Sequence, residues 1–229
     1  MTGTAPPVVP LSAPPRDVAL TAGVSTLAMA VAGGFAAVSV TNLAGDGAAG
    51  TVDRITGAGP LLGLAITAFL VVAVLDVVLA WALWRWFGSS RGELAALAGW
   101  LRVTYTATLV AAVGHLVTAL AVARDGGTDD AAQAALGQFT STWQLGLVVF
   151  AAHLVVLGTL VVRDAGTPAW LGAIILVAGF AYAADGVARL FVADGAALLT
   201  VLTGLVSVTS VVGEVGLGVW FLIRGGKNR

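Results

Sequence analysis

Seven ionisable side chains stand inside long apolar runs: Asp76, Arg102, His115, His153, Asp185, Arg189 and Glu214. On insertion scales a charge at the centre of a membrane helix costs about 2.5 to 3.5 kcal/mol, so each needs a partner or a use. Counting about 1.5 Å per residue from the nearer basic end of each run puts Arg102 ~12 Å deep, His153 and Glu214 ~14 Å and Asp76 ~16 Å. Four groups from four runs therefore share one layer. Two chemistries fit it. Arg102 can neutralise Asp76 or Glu214 and fix helix pairing, a structural network. Alternatively the layer is a site in which Arg102 supplies fixed positive charge, Asp76 and Glu214 supply acceptors or exchangeable protons, and His153 titrates. One guanidinium neutralises only one acid, and Glu214 is the expected proton carrier. Thr203, Ser207, Ser210 and Glu214, at spacings of four, three and four, draw one polar line along a helix toward it. Asp76 has only apolar neighbours within a turn.

Asp185 and Arg189 are four apart and share a helical face with Tyr182, in the other half of the bundle, where they satisfy each other. His115 is expected to be a packing or surface histidine. The two histidines differ in depth by ~10 to 17 Å and cannot hold one ion, so no metal site is expected. Phosphate-binding GxxxxGK, GxSxG and HExxH patterns are absent from the sequence, and no cofactor is expected. The candidate catalytic groups are Glu214, Asp76 and His153. The candidate ligand-binding set adds Arg102, Tyr105, Asp185, Arg189, Ser207 and Ser210.

The elements that must position these groups follow from composition. The 229 residues are 59% hydrophobic and 10% charged, with mean hydropathy +0.98 and formal charge −1. That leaves too little polar surface to coat a soluble globule, which excludes a soluble enzyme or a nucleic-acid binder. Cysteine is absent, so there are no disulfides or thiolate sites. The expected fold is all-α: a polytopic bundle of six transmembrane helices at 18–44, 60–87, 94–123, 139–162, 168–192 and 198–223. Residues 1–17 form a Pro-rich tail without a basic start, 18–224 the transmembrane domain and 225–229 a basic C-terminus; the first span is read as a retained helix. Pro60 and Pro168 open spans and none interrupts one.

Seven basic residues (Arg16, Arg85, Arg91, Arg163, Arg224, Lys227, Arg229) fall on one side and only Arg54 and Arg124 on the other. Both termini are therefore expected in the cytoplasm of a multi-pass cell-membrane protein. The opposite side carries the acids Asp46, Asp53, Asp125, Asp129, Asp130 and Asp194. Trp84, Trp86, Trp100, Trp143, Trp170 and Trp220 fall near span ends and are expected as interfacial anchors. Ala28, Ala32 and Ala36, like Gly213 and Gly216, are expected at close helix contacts. The polar face of the third span is ambiguous, with Arg102, Thr106 and Leu109 on one side and Thr104, Thr108 and His115 on another.

The runs LDVVLAWALWRWF (Leu75–Phe87), WLRVTY (Trp100–Tyr105), STWQLGLVVFAAHLVVLGTLV (Ser141–Val161), LGAIILVAGFAYAADGVARLF (Leu171–Phe191) and GEVGLGVWFLIRG (Gly213–Gly225) resemble bacterial membrane proteins carrying the domain of unknown function 4386. Asp76, Arg102, Tyr105, Trp143, His153, Tyr182, Asp185 and Glu214 fall on positions that give that pattern its character. A short loop at Asp194 departs from the proline-containing stretch expected there. The resemblance implies a six-helix membrane protein and supplies no activity. On the residues alone the protein binds a small or amphipathic ligand within the bilayer, or handles protons. The alternatives are an intramembrane acid–base enzyme on a lipid or isoprenoid, in which Asp76 or Glu214 protonates an alkene or epoxide, and a structural or regulatory membrane partner.

Overall fold

A computed structural model describes residues 16–45, 47–192 and 196–225. Asp46, Asp194, Lys227, Arg229 and most of the Pro-rich tail lie outside the described residues. The described chain is helical: α1 (Arg16–Ala44), α2 (Thr51–Gly57), α3 (Gly59–Arg124), α4 (Asp129–Val162), α5 (Ala169–Ala188), α6 (Ala197–Ser210), a π turn (Val211–Val215) and α7 (Gly216–Ile223). Five helical stretches are long and apolar enough to cross a membrane, the last formed by α6, the π turn and α7 together.

The difference from six expected spans lies in α3, whose 66 residues cover the second and third. Its continuity is broken at Arg91, where φ −149° and ψ 58° leave helical space within the sequence Gly88-Ser89-Ser90-Arg91-Gly92. Glycine and serine are the residues at which helices bend without proline. The two arms fold back side by side, so that a Cβ on Gly99 would stand 3.8 Å from the Ala80 carbonyl. Pro60 falls in the first turn of α3 and Pro168 caps α5, positions that need no intrahelical N–H.

Packing runs from α1 to α3, α3 to α4, α4 to α5 and α5 to α6, with α7 returning to α1. Glycines set the closest approaches. At the α4–α5 crossing a Cβ on Gly172 would lie 2.6 Å from the Val162 nitrogen and 2.8 Å from the Gly158 carbonyl oxygen, distances no side chain tolerates. Gly213 and Gly216 do lie against α5, at Ile175 and Leu171. Of Ala28, Ala32 and Ala36, Ala36 is buried and Ala32 packs partly buried against the core, whereas Ala28 is exposed. The buried line of α1 includes Ala22, Ser25, Met29, Ala36, Val40 and Leu43. The tryptophan expectation divides likewise: Trp84, Trp100 and Trp170 are exposed, whereas Trp86 is buried edge-on against Trp220 and Phe221, at ring distances of 5.9 and 5.1 Å.

Two arginines close the ends. Arg16 donates to the carbonyls of Phe221 (2.8 Å) and Gly225 (2.6 Å) and to that of Leu222, tying the start of α1 to the end of α7. Both described chain ends therefore lie at one end of the bundle. At the other, Arg54 donates to the carbonyls of Leu43, Ala44, Gly47 and Ala49, occupying acceptors left open where α1 stops. There the expected 45–59 loop contains α2, and Asp129 accepts from the backbone N–H groups of Gly50 and Val52 at 2.8 Å each.

Candidate functional site

The third span's ambiguous face is resolved by burial. Arg102, Tyr105, Thr106 and Leu109 are buried, while Thr104 is exposed and His115 only half-buried. Arg102 therefore points inward and meets groups from three other stretches of chain. One terminal nitrogen lies 2.5 Å from Asp76 Oδ1 on the first arm of α3. The other lies 3.0 Å from His153 Nε2 on α4. Met29 Sδ on α1 is 4.0 Å away, and the guanidinium carbon sits 5.5 Å from the centre of the Phe150 ring. All three ionisable members are buried: Asp76 is 1% exposed, Arg102 4% and His153 0%.

The far nitrogen of His153 fixes its chemistry. Nδ1 lies 2.9 Å from the carbonyl oxygen of Ala98, an acceptor, so Nδ1 carries the proton. Nε2 is then the acceptor for an Arg102 N–H, which assigns a neutral imidazole from the hydrogen-bond network. Asp76 and Arg102 cancel, so the trio is an electrically neutral unit with both imidazole nitrogens committed. Phe150 stacks on His153 at 5.5 Å and packs against Tyr105 and Tyr182, and Trp143 Nε1 donates to the Tyr105 hydroxyl at 3.2 Å. Met29, Phe150 and the Ala98 carbonyl were not singled out from the sequence. None is ionisable, and only Phe150 lies in a motif run.

Glu214 stands apart from the trio. It occupies the π turn, a one-residue widening of the helix often found where a side chain is re-aimed. Among the described residues it forms no ion pair. It nevertheless walls a cavity of about 10 Å3 jointly with Arg102, Thr26, Leu79, Leu157 and Leu217. Ser210 stands beside both Glu214 and Tyr182. The polar line above it becomes steadily more open: Glu214 and Ser210 are half-buried, and Ser207 and Thr203 are exposed.

At the top of that line Arg189 holds Asp185 through Nε (2.8 Å) and a terminal nitrogen (3.2 Å). Thr203 of α6 accepts from Arg189 at 2.8 Å and donates to Asp185 at 3.0 Å. The pair thus fastens α6 to α5. Among the described residues α6 packs chiefly on α5 and the π turn below it, with Leu199 its sole buried residue. His115 makes no hydrogen bond or ion pair there, and no three His, Asp or Glu side chains converge as metal ligands.

The chain belongs to the family described as a domain of unknown function, DUF4386, whose sequence model matches residues 21–225. No curated protein and no solved structure matches it.

Proposed function

We propose that this member of the DUF4386 family is a cytoplasmic-membrane protein with six crossings, each arm of α3 making one, and that it binds a small amphipathic ligand within the bundle, with Glu214 as the polar end of the site. The observation that carries this reading is the graded burial along α6. Thr203 and Ser207 are exposed, Ser210 and Glu214 half-buried, and Arg102 below them buried. Thr203 is engaged by Asp185 and Arg189, and Ser207 donates to the Thr203 carbonyl at 2.8 Å, yet together they keep a polar strip on a helix otherwise bearing the exposed Val201, Leu205, Val208 and Val211, which is costly against lipid unless a polar group covers it. A ligand approaching beside α6 would bring its polar end down this line while its apolar part stays among those side chains.

Asp76 is a poor choice for the chemical acid, being buried and paired with Arg102. His153 as a titrating relay is likewise disfavoured by its two hydrogen bonds. An acid–base reaction on a lipid would therefore fall to Glu214 alone.

The test uses the absence of native cysteine. Ser207→Cys and Val208→Cys differ by one position, and both residues are exposed. In lipid nanodiscs, a water-soluble thiol reagent should modify Ser207→Cys several-fold faster than Val208→Cys, because only the polar line is wetted. Equal and slow modification of both would refute the reading.

A further inference from the structure

The strongest unexplained feature is the small cavity between Arg102 and Glu214. Of the Arg102 donors, the terminal nitrogens are engaged by Asp76 and His153, but buried Nε has no hydrogen-bond partner among the described residues. A donor left unsatisfied in a dry interior costs on the order of 1 to 3 kcal/mol, more for a charged group. The cavity's other walls offer little: Leu79, Leu83, Leu157, Leu217 and Phe221 are apolar, and Thr26 spends its proton on the Ala22 carbonyl at 2.9 Å. Its polar walls are thus a guanidinium, which only donates, the Thr26 oxygen, left only as an acceptor, and the Glu214 carboxyl, which offers an acceptor oxygen whether or not it carries a proton. Its volume, about 10 Å3, matches the roughly 10 to 15 Å3 that one water-sized group occupies.

We propose that this cavity is a binding site for a single hydroxyl group, which accepts from Arg102 Nε and donates to Glu214. The inference rests on the ligand reading above and names the chemical class at its polar end. A group that both donates and accepts serves both walls in either protonation state of Glu214, and with Glu214 ionised no other kind does. An ammonium has no lone pair for Nε–H, and a carboxylate or ether has no proton for Glu214. An anion is not favoured, because Asp76 already cancels the charge of Arg102. The hydroxyl comes from water or from the head of a long-chain alcohol, and both satisfy the same two partners.

The experiment uses the full chain in nanodiscs. Three probes share one chain length: 1-dodecanol, dodecylamine and dodecyl methyl ether. The melting temperature is followed by tryptophan fluorescence, and infrared spectra are compared between ordinary and oxygen-18 water. If an alcohol fills the site, dodecanol raises the melting temperature by several degrees while amine and ether do not, and Leu157→Phe, which fills the cavity, removes the effect. If water fills it, the alcohol has no selective effect, but a sharp O–H band sensitive to oxygen-18 is present in the wild type and lost in Leu157→Phe. Equal shifts from all three probes, or no selective shift and no such band, would overturn the proposal. Should Leu157→Phe fail to fold, the probe comparison and isotope-sensitive band in the wild type still decide. Failure of the broader reading is separable: it shows as an unwetted Ser207→Cys, whatever occupies the cavity.

Discussion

At the scale of single residues, the two intramembrane carboxylates differ in what they hold in place. Asp76 is the charge partner of a buried guanidinium, whereas Glu214 has no ion pair among the described residues. Removing one member of a buried pair leaves the other uncompensated, at about 3 to 5 kcal/mol. Asp76→Asn should therefore lower thermal stability sharply. Glu214→Gln, which keeps shape and removes only ionisation, should change it by less than about 1 kcal/mol, as substitutions away from a packed network do. Denaturation of both variants in the same detergent checks this; equal losses would mean that Glu214 is as structural as Asp76. That Arg102 meets a carboxylate of its layer is legible in the sequence from depth and charge, while the choice of Asp76 over Glu214 is made by the structure. The state of His153 is not. It depends on the Ala98 carbonyl, a backbone atom on another stretch of chain whose position no side-chain pattern encodes.

At the scale of elements, glycine content alone does not say which glycines matter. Gly172 and Gly204 both lie in apolar helices, yet a Cβ on Gly172 would collide with backbone at 2.6 and 2.8 Å while one on Gly204 meets nothing within 4 Å. Backbone cannot step aside as a flexible side chain can, so Gly172→Ala should force α4 and α5 apart. Gly204→Ala should be neutral or gain up to about 1 kcal/mol from helix propensity. A melting temperature lowered by Gly172→Ala and unchanged or raised by Gly204→Ala is expected. A matching loss in both would show that the α4–α5 crossing is not the tight contact described. The same physics explains what sequence spacing left open on α1, where a repeat of small residues every four positions defines a stripe but not what faces it. Span number was obscured for a related reason: Gly88 to Gly92 marks a bend, but helical geometry on both sides runs up to Arg91 itself, so the two arms form one nearly unbroken element.

At the scale of the whole molecule, the bundle is asymmetric in how its ends use arginine. At the end holding both described termini, Arg85 and Arg91 are exposed and make no hydrogen bond or ion pair among the described residues, while Arg16 is spent on the carbonyls of α7. At the other end Arg54 is turned onto the last carbonyls of α1, and Asp129 locks α2 to α4. In the sequence, the nine Lys and Arg other than the intramembrane Arg102 and Arg189 divide seven to two in favour of the tails and the loops on their side. Lysine and arginine near span ends are retained on the cytoplasmic side, so the terminal end should face the cytoplasm and the α2 end the exterior. Single cysteines report this directly on a chain that has none. Thr56 and Asp125 are exposed at the α2 end, and Ser89 is exposed at the bend of α3. Thr56 is preferred to Thr51, which is buried and hydrogen-bonded to Gln133. In intact cells an impermeant thiol reagent should modify Thr56→Cys and Asp125→Cys and leave Ser89→Cys untouched until the membrane is opened. Modification of Ser89→Cys in sealed cells, with the other two protected, would invert the molecule and place the exposed upper part of α6 toward the cytoplasm.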